Sequence, residues 1–203
     1  MFVKICGVNS LEAVDAAANG GADAVGFVFA DSPRQVSALQ ARALARCLPA
    51  DVVKVAVFRR PQPQVLEEVL ELVEPDWVQA DAGSLLGLEL PEDVDLLPVH
   101  RSGGPTAAEP PLRLLYEGTV SGRGVKADWH QARELAGSTQ LILAGGLDPG
   151  NVADAIQAVG PWGVDVSSGV ETEPGRKDPS RIAAFIANAR AVFASAPGRT
   201  HAH

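Results

Sequence analysis

The residues best equipped for chemistry in this sequence stand where short β-branched runs end. The first run, VKICG (3–7), stops on Cys6 and Gly7. A buried cysteine often serves only as a small hydrophobe, so Cys6 gains a chemical role only from what faces it. Asp128, in SGRGVKADW (121–129), can cap the helix that follows it or present its carboxyl to a ligand. The stretches AGGL (144–147) and SSGVE (167–171) put Gly145, Gly146, Ser167, Ser168 and Gly169 at two further strand ends. Small residues there expose backbone N–H groups that can hold an anion, although Gly145 and Gly146 would also suit a plain tight turn. In DSPR (31–34), Pro33 stiffens a turn and Arg34 offers a planar fork matched to a carboxylate.

These residues are positioned by an alternation of strands and helices. Strand candidates are VKICG (3–7), AVGFVFA (24–30), VVKVAVF (52–58) and DWVQA (76–80), then LLPVHR (96–101), LRLLYEG (112–118), QLILAG (140–145) and GVDVSSG (163–169). Helical patterns lie between most of them, with Ser10 and Asp178 as N-caps and Gly20, Gly137 and Gly160 as stops. Eight strands alternating with helices predict an α/β fold, a single-domain (β/α)8 barrel over residues 1–195 with a flexible tail at 196–203. An open doubly wound sheet is the competitor, but its glycine-rich first turn is absent from Cys6-Gly7-Val8-Asn9. The barrel is small: SGGPTAAEPP (102–111) and the link 81–95 leave reduced helices after strands four and five.

In such a barrel the site lies at the C-terminal ends of the strands. Alternation along strand one puts Lys4 and Cys6 on the inward face and Val3 and Ile5 under the helices. Closure makes strand eight the neighbour of strand one, which predicts an internal ion pair between Lys4 and Asp165. The alternative is a Lys4 that snorkels to the barrel floor while Asp165 bonds to backbone or hydroxyls.

Composition narrows the classes. A net charge of −8, a pI near 5.0 and no basic run argue against nucleic acid as a partner. No apolar run approaches the roughly 18 residues of a membrane span, which predicts a soluble, cytoplasmic protein. Cys47, within the helical pattern ALQARALARCL, reads as helix packing, and the histidines, two of them in the terminal THAH, do not cluster at metal-ligand spacing.

The blocks KICGV, GFVFADSPRQV, VAVF, LAGGLDPGNV and DVSSGVETEPGRKD, in that order, resemble phosphoribosylanthranilate isomerase of tryptophan biosynthesis. The resemblance implies an Amadori rearrangement of N-(5-phosphoribosyl)anthranilate to the 1-deoxyribulose aminoketose, with no metal or redox cofactor. It also implies Cys6 as general base and Asp128 as general acid. Arg34 is expected on the anthranilate carboxylate, and the loops carrying Gly145, Gly146, Ser167, Ser168 and Gly169 on the phosphate. A monomer or homodimer is expected. The sequence departs from the family at four places: Asp81 replaces a histidine and Ala82 a glycine in QLHG, Ser121-Gly122-Arg123-Gly124 stands for GGTG, Ala127 for a phenylalanine, and Tyr116 for an aspartate. Two rivals are the related sugar isomerase of histidine biosynthesis, which uses aspartates as acid and base, and a non-catalytic phosphate-binding barrel.

Overall fold

Strands that are covered on one face by helices and on the other by a barrel interior must be apolar on both faces. That is the character of β1 (Phe2–Cys6), β2 (Ala24–Val28), β3 (Val53–Val57) and β4 (Trp77–Asp81). With β5 (Asp95–Arg101), β6 (Arg113–Glu117), β7 (Gln140–Leu143) and β8 (Gly163–Val166) they pair in parallel and in sequence order. The barrel closes where β8 pairs with β1, setting Lys4 opposite Asp165. The computed structural model describes residues 1–104, 110–119 and 126–194; the expected tail at 196–203 and the turn 121–124 lie outside them.

Among the described residues six helices wrap this barrel: α1 (Leu11–Gly20), α2 (Ala38–Ala45), α3 (Pro63–Val73), α4 (Trp129–Ala136), α5 (Val152–Val159) and α6 (Pro179–Ala194). Their ends follow local chemistry. Ser10 Oγ accepts from the Ala13 N–H, and Ser37 with Gln40 forms a reciprocal capping box. Pro63 opens α3 at a position where its missing N–H costs nothing, and Leu66, Val69 and Val73 form its buried stripe. After β4 there is only a 3₁₀ turn, Ala82–Ser84, and after β5 no helix among the described residues.

Several expectations need correction. Strands two and three end at Val28 and Val57, before their apolar runs do; Phe29 and Phe58 follow, still donating to the Val57 and Gln79 carbonyls at 2.8 Å, with their rings stacked at 5.3 Å. Strand eight stops at Val166. The chain then makes a 3₁₀ turn, Ser168–Val170, and a small antiparallel ribbon of β9 (Glu171–Glu173) and β10 (Arg176–Lys177) that the sequence reading missed. Cys47 is not helix packing. Its helix ends at Ala45 because Pro49 disfavours helical backbone at the residue before it, and Cys47 is exposed.

Two cores result. Val3 and Ile5 belong to the layer between sheet and helices, whereas Cys6 joins Val28, Val57, Val99 and Ala144 inside the barrel. The floor is an aromatic plug: Phe2 stacks on Trp162 at 4.6 Å and on Trp77 at 5.3 Å, and the Arg113 guanidinium lies 4.0 Å over Trp77. Between floor and mouth, Lys4 Nζ donates to Asp165 Oδ1 at 2.9 Å, both side chains buried. This is the pair expected from closure, and Lys4 does not snorkel.

Truncating one member of a buried pair leaves the other charge uncompensated. Lys4→Met is therefore expected to lower unfolding free energy in urea by roughly 3–5 kcal/mol. The Lys4→Met/Asp165→Asn double variant, with no orphan charge, is expected to recover much of that loss. A double variant as unstable as the sum of the singles would show no coupling.

Candidate active site

Cys6 ends β1 with its side chain in the barrel interior, at the wall of a cavity of about 740 Å³ at the C-terminal ends of the strands. The chain leaves β1 through Gly7, whose φ of +74 suits glycine, and a Cβ there would lie 2.6 Å from Cδ of Arg34. The Arg34 stem thus lies across Gly7, beside the thiol. Burial is the largest influence on Cys6 and pushes its thiol up. The Lys4 ammonium opposes that push, Asp165 adds to it, and Lys177 opposes it further.

The fork of Arg34 is not open as expected. Its Nε donates to Glu171 Oε1 at 2.7 Å and its Nη2 to Oε2 at 2.8 Å. Lys177 Nζ donates to the same Oε1 at 2.7 Å and to the Ser167 carbonyl at 2.9 Å. All three charged side chains are buried. Glu171 is drawn inward because two buried cations need a carboxylate between them, a requirement visible only once β9 and β10 are folded against the turn after β2. Arg34 Nη1 has no partner among the described residues.

Gly145 and Gly146 both adopt positive φ, at 84 and 67. Among the described residues, no acceptor takes the N–H groups of Gly145, Gly146, Ser168 or Gly169. Asn151 shapes the first loop, donating to the Gly146 carbonyl at 2.7 Å and accepting from the Asp148 N–H at 2.9 Å. At Gly169 a Cβ would lie 1.9 Å from the Leu147 carbonyl oxygen, so the loops after β7 and β8 touch backbone to backbone. Ser167 and Ser168 line the cavity with Cys6, whereas Gly145, Gly146 and Gly169 lie outside its wall.

Asp128 does cap its helix: Oδ1 accepts from the N–H groups of His130 at 2.9 Å and Gln131 at 3.2 Å. Its Oδ2 has no partner among the described residues. The carboxyl is exposed and outside the wall of the Cys6 cavity. Its backbone N–H donates to Ser102 Oγ at 3.0 Å, which ties the start of α4 to the end of β5. By barrel order, Asp128 follows the strand third from β1 around the rim, by way of β8 and β7, and so stands across the mouth from Cys6.

The departures from the family pattern acquire partners. Arg101 Nη2 donates to Asp81 Oδ1 at 2.6 Å, and its Nε lies 3.2 Å from Glu117 Oε1, so one guanidinium bridges the ends of β4 and β6. Burial alone would lower its proton affinity, but the two carboxylates raise it. Tyr116 donates to Gln131 Oε1 at 2.6 Å, and Ala127 is buried. Gln79, buried in the cavity wall, has an Oε1 without a partner. Sequence reasoning missed Glu171, Lys177, Arg101, Glu117 and Gln79. The one signal was that each is a polar residue within or at the end of a strand.

Residues 3–188 match the family described as PRAI, N-(5'phosphoribosyl)anthranilate (PRA) isomerase. An N-(5'-phosphoribosyl)anthranilate isomerase of Streptococcus pneumoniae (strain Taiwan19F-14) is 41% identical over 187 residues, covering 91% of this chain and 93% of the relative. One of Streptococcus mutans is 40% identical over 186 residues, covering 91% and 96%. Among solved structures, the phosphoribosyl anthranilate isomerase of Thermus thermophilus superposes with a TM-score of 0.82 at 30% identity, over 95% of this chain and 100% of its own. A phosphoribosyl anthranilate isomerase in complex with reduced 1-(o-carboxyphenylamino)-1-deoxyribulose 5-phosphate superposes at 0.76 with 32% identity, over 94% and 99%.

The Glu171 network has a pH signature. Burial is the largest influence and would raise its carboxyl, but Arg34 and Lys177 together hold it below the ordinary value of 4.5. A carboxyl lowered in the folded state contributes stability that is present above its unfolded value and lost as pH falls through the folded one. Glu171→Gln is expected to lower stability at neutral pH and to flatten its decline below about pH 4.5, followed by urea midpoints at a series of pH values. An unchanged acid slope would remove Glu171 from that linkage.

Proposed function

Because the chain belongs to the N-(5'-phosphoribosyl)anthranilate isomerase family, we propose that Cys6 and Asp128 are the base and acid of its rearrangement. The reaction itself converts N-(5-phosphoribosyl)anthranilate to 1-(2-carboxyphenylamino)-1-deoxyribulose 5-phosphate in tryptophan biosynthesis. The observation that supports the residue assignment is a thiol at the end of β1 and a carboxyl at the start of α4, after the strand third from β1 around one closed barrel.

Asp128 protonates the furanose oxygen. The C1–O bond then breaks as the anilino nitrogen supplies its lone pair, opening the sugar to an imine. Cys6 thiolate takes the proton from C2, the electron pair enters the C1–C2 bond, and the resulting enolamine tautomerises to the ketone. The two groups must act in opposite protonation states at one pH. Bound substrate contributes to that division of roles. Its bulk shields the carboxyl from water, and its own negative charges disfavour a second anion alongside.

The N–H groups of Gly145, Gly146, Ser168 and Gly169 bind the substrate phosphate, with Ser167 and Ser168 reaching it from the cavity wall; their lack of acceptors supports this. Arg34 meets the anthranilate carboxylate through Nη1, its other nitrogens holding the side chain in place against Glu171. A cytoplasmic location and a monomeric or homodimeric state accord with this reading. Thermotoga maritima has a dimeric relative from which monomers have been generated. No helix among the described residues is long and apolar enough to cross a membrane.

Cys6→Ala and Asp128→Asn are each expected to lower kcat by ~10²–10⁴-fold while the fold persists, measured by the isomerase assay alongside circular dichroism. Near-normal kcat in either variant removes that residue from the chemistry. Gly146→Val, at a positive-φ residue whose N–H is assigned to the phosphate, is expected to raise KM more than it lowers kcat. A bound phosphate located elsewhere in the mouth would overturn the loop assignment.

A further inference from the structure

Lys4 is fully buried one step beneath Cys6 on the inward face of β1, and the mechanism above gives it no task. On one side its ammonium bonds Asp165 Oδ1 at 2.9 Å. On the other side the Cys6 thiol lies within its electrostatic reach. Gly26, the register partner of Cys6 on β2, marks the place: a Cβ there would lie 3.2 Å from Lys4 Nζ and 3.1 Å from Cys6 Sγ. Both atoms crowd the same side of one glycine, and any larger residue at 26 would be driven against them.

The geometry points to Lys4 as a positioning residue for Cys6: held charged by Asp165, its ammonium donates to Sγ and stabilises the thiolate that takes the C2 proton. This rests on Cys6 being the base. In the step, the S–H bond forms as the C2–H bond breaks, and Cys6 is reset when that proton leaves to solvent. Lys4 keeps its own protons throughout.

The charged groups around Cys6 are few. Lys4 stands on its own strand, Asp165 on β8 and Lys177 on β10, with Glu171 and Arg34 behind Lys177. Gly26 and Ala144, from β2 and the end of β7, bring no charge. Of the opposing influences on the buried thiol, the Lys4 ammonium is the largest. Lys4 itself is held protonated: burial works against its charge, and Asp165 and Cys6 outweigh burial.

The two partners of the pair therefore act on the thiol with opposite signs, which a merely structural role would not produce. Cys47→Ala leaves Cys6 as the single thiol of the chain. In that background, thiolate absorbance near 240 nm is followed against pH, together with the pH profile of kcat/KM. Lys4→Met is expected to move the thiol midpoint up by about one unit or more, and Asp165→Asn to move it down, with the base limb of kcat/KM following each. If Lys4→Met does not fold, the Lys4→Met/Asp165→Asn variant takes its place and is expected to titrate above the wild type. Midpoints that stay put, or that move the same way in both single variants, overturn the inference. A midpoint that moves while the kinetic limb stays still overturns Cys6 as base, and the role of Lys4 in the chemistry falls with it.

Discussion

A cation taken out of water has to be matched by an anion within reach, and the interior of this barrel is arranged around that requirement. Lys4 is matched by Asp165 across the seam where β8 closes on β1. Lys177 and Arg34 share Glu171 at the rim between the turn after β2 and the ribbon after β8. The two sets flank Cys6 from below and from the side. They bind four separate chain segments to one another around Cys6, so charge neutrality and local geometry are the same constraint. A strand slipped by one residue would send Lys4 or Asp165 to the helix side and leave the other alone.

Much of this was legible in the residues, because two periodicities carry it. Alternation along VKICG separates Val3 and Ile5 from Lys4 and Cys6, and the same alternation along GVDVSS turns Asp165 toward Lys4 once closure is assumed. What stayed hidden are contacts whose partners are distant in sequence and lie in irregular backbone. Glu171 reaches Arg34 over 137 positions of chain, and nothing in SSGVE distinguishes a carboxylate turned inward from one in solvent. Asp128 taught the converse lesson. Cap and ligand contact are not exclusive for a carboxylate: Oδ1 caps the helix, and Oδ2 has no partner among the described residues.

Of the departures from the family pattern, Asp81 ends β4 and Ala82 follows it, across the barrel from the loop after β8. Asp81 in place of a histidine adds a negative charge, and Arg101 answers it while also meeting Glu117. Arg101 thereby makes a polar link between the ends of β4 and β6, where no helix follows the intervening strand among the described residues. One guanidinium between two carboxylates leaves this trio net negative.

The aromatic floor carries a consequence for traffic. Phe2, Trp77, Trp162 and Arg113 fill the bottom of the barrel from wall to wall, which makes the interior a blind well. Reactant and product must then use one doorway, and each excludes the other while it is inside. Inhibition by the product is bound to be competitive with the reactant, and the pace of emptying the well sets an upper limit on turnover however fast the proton moves.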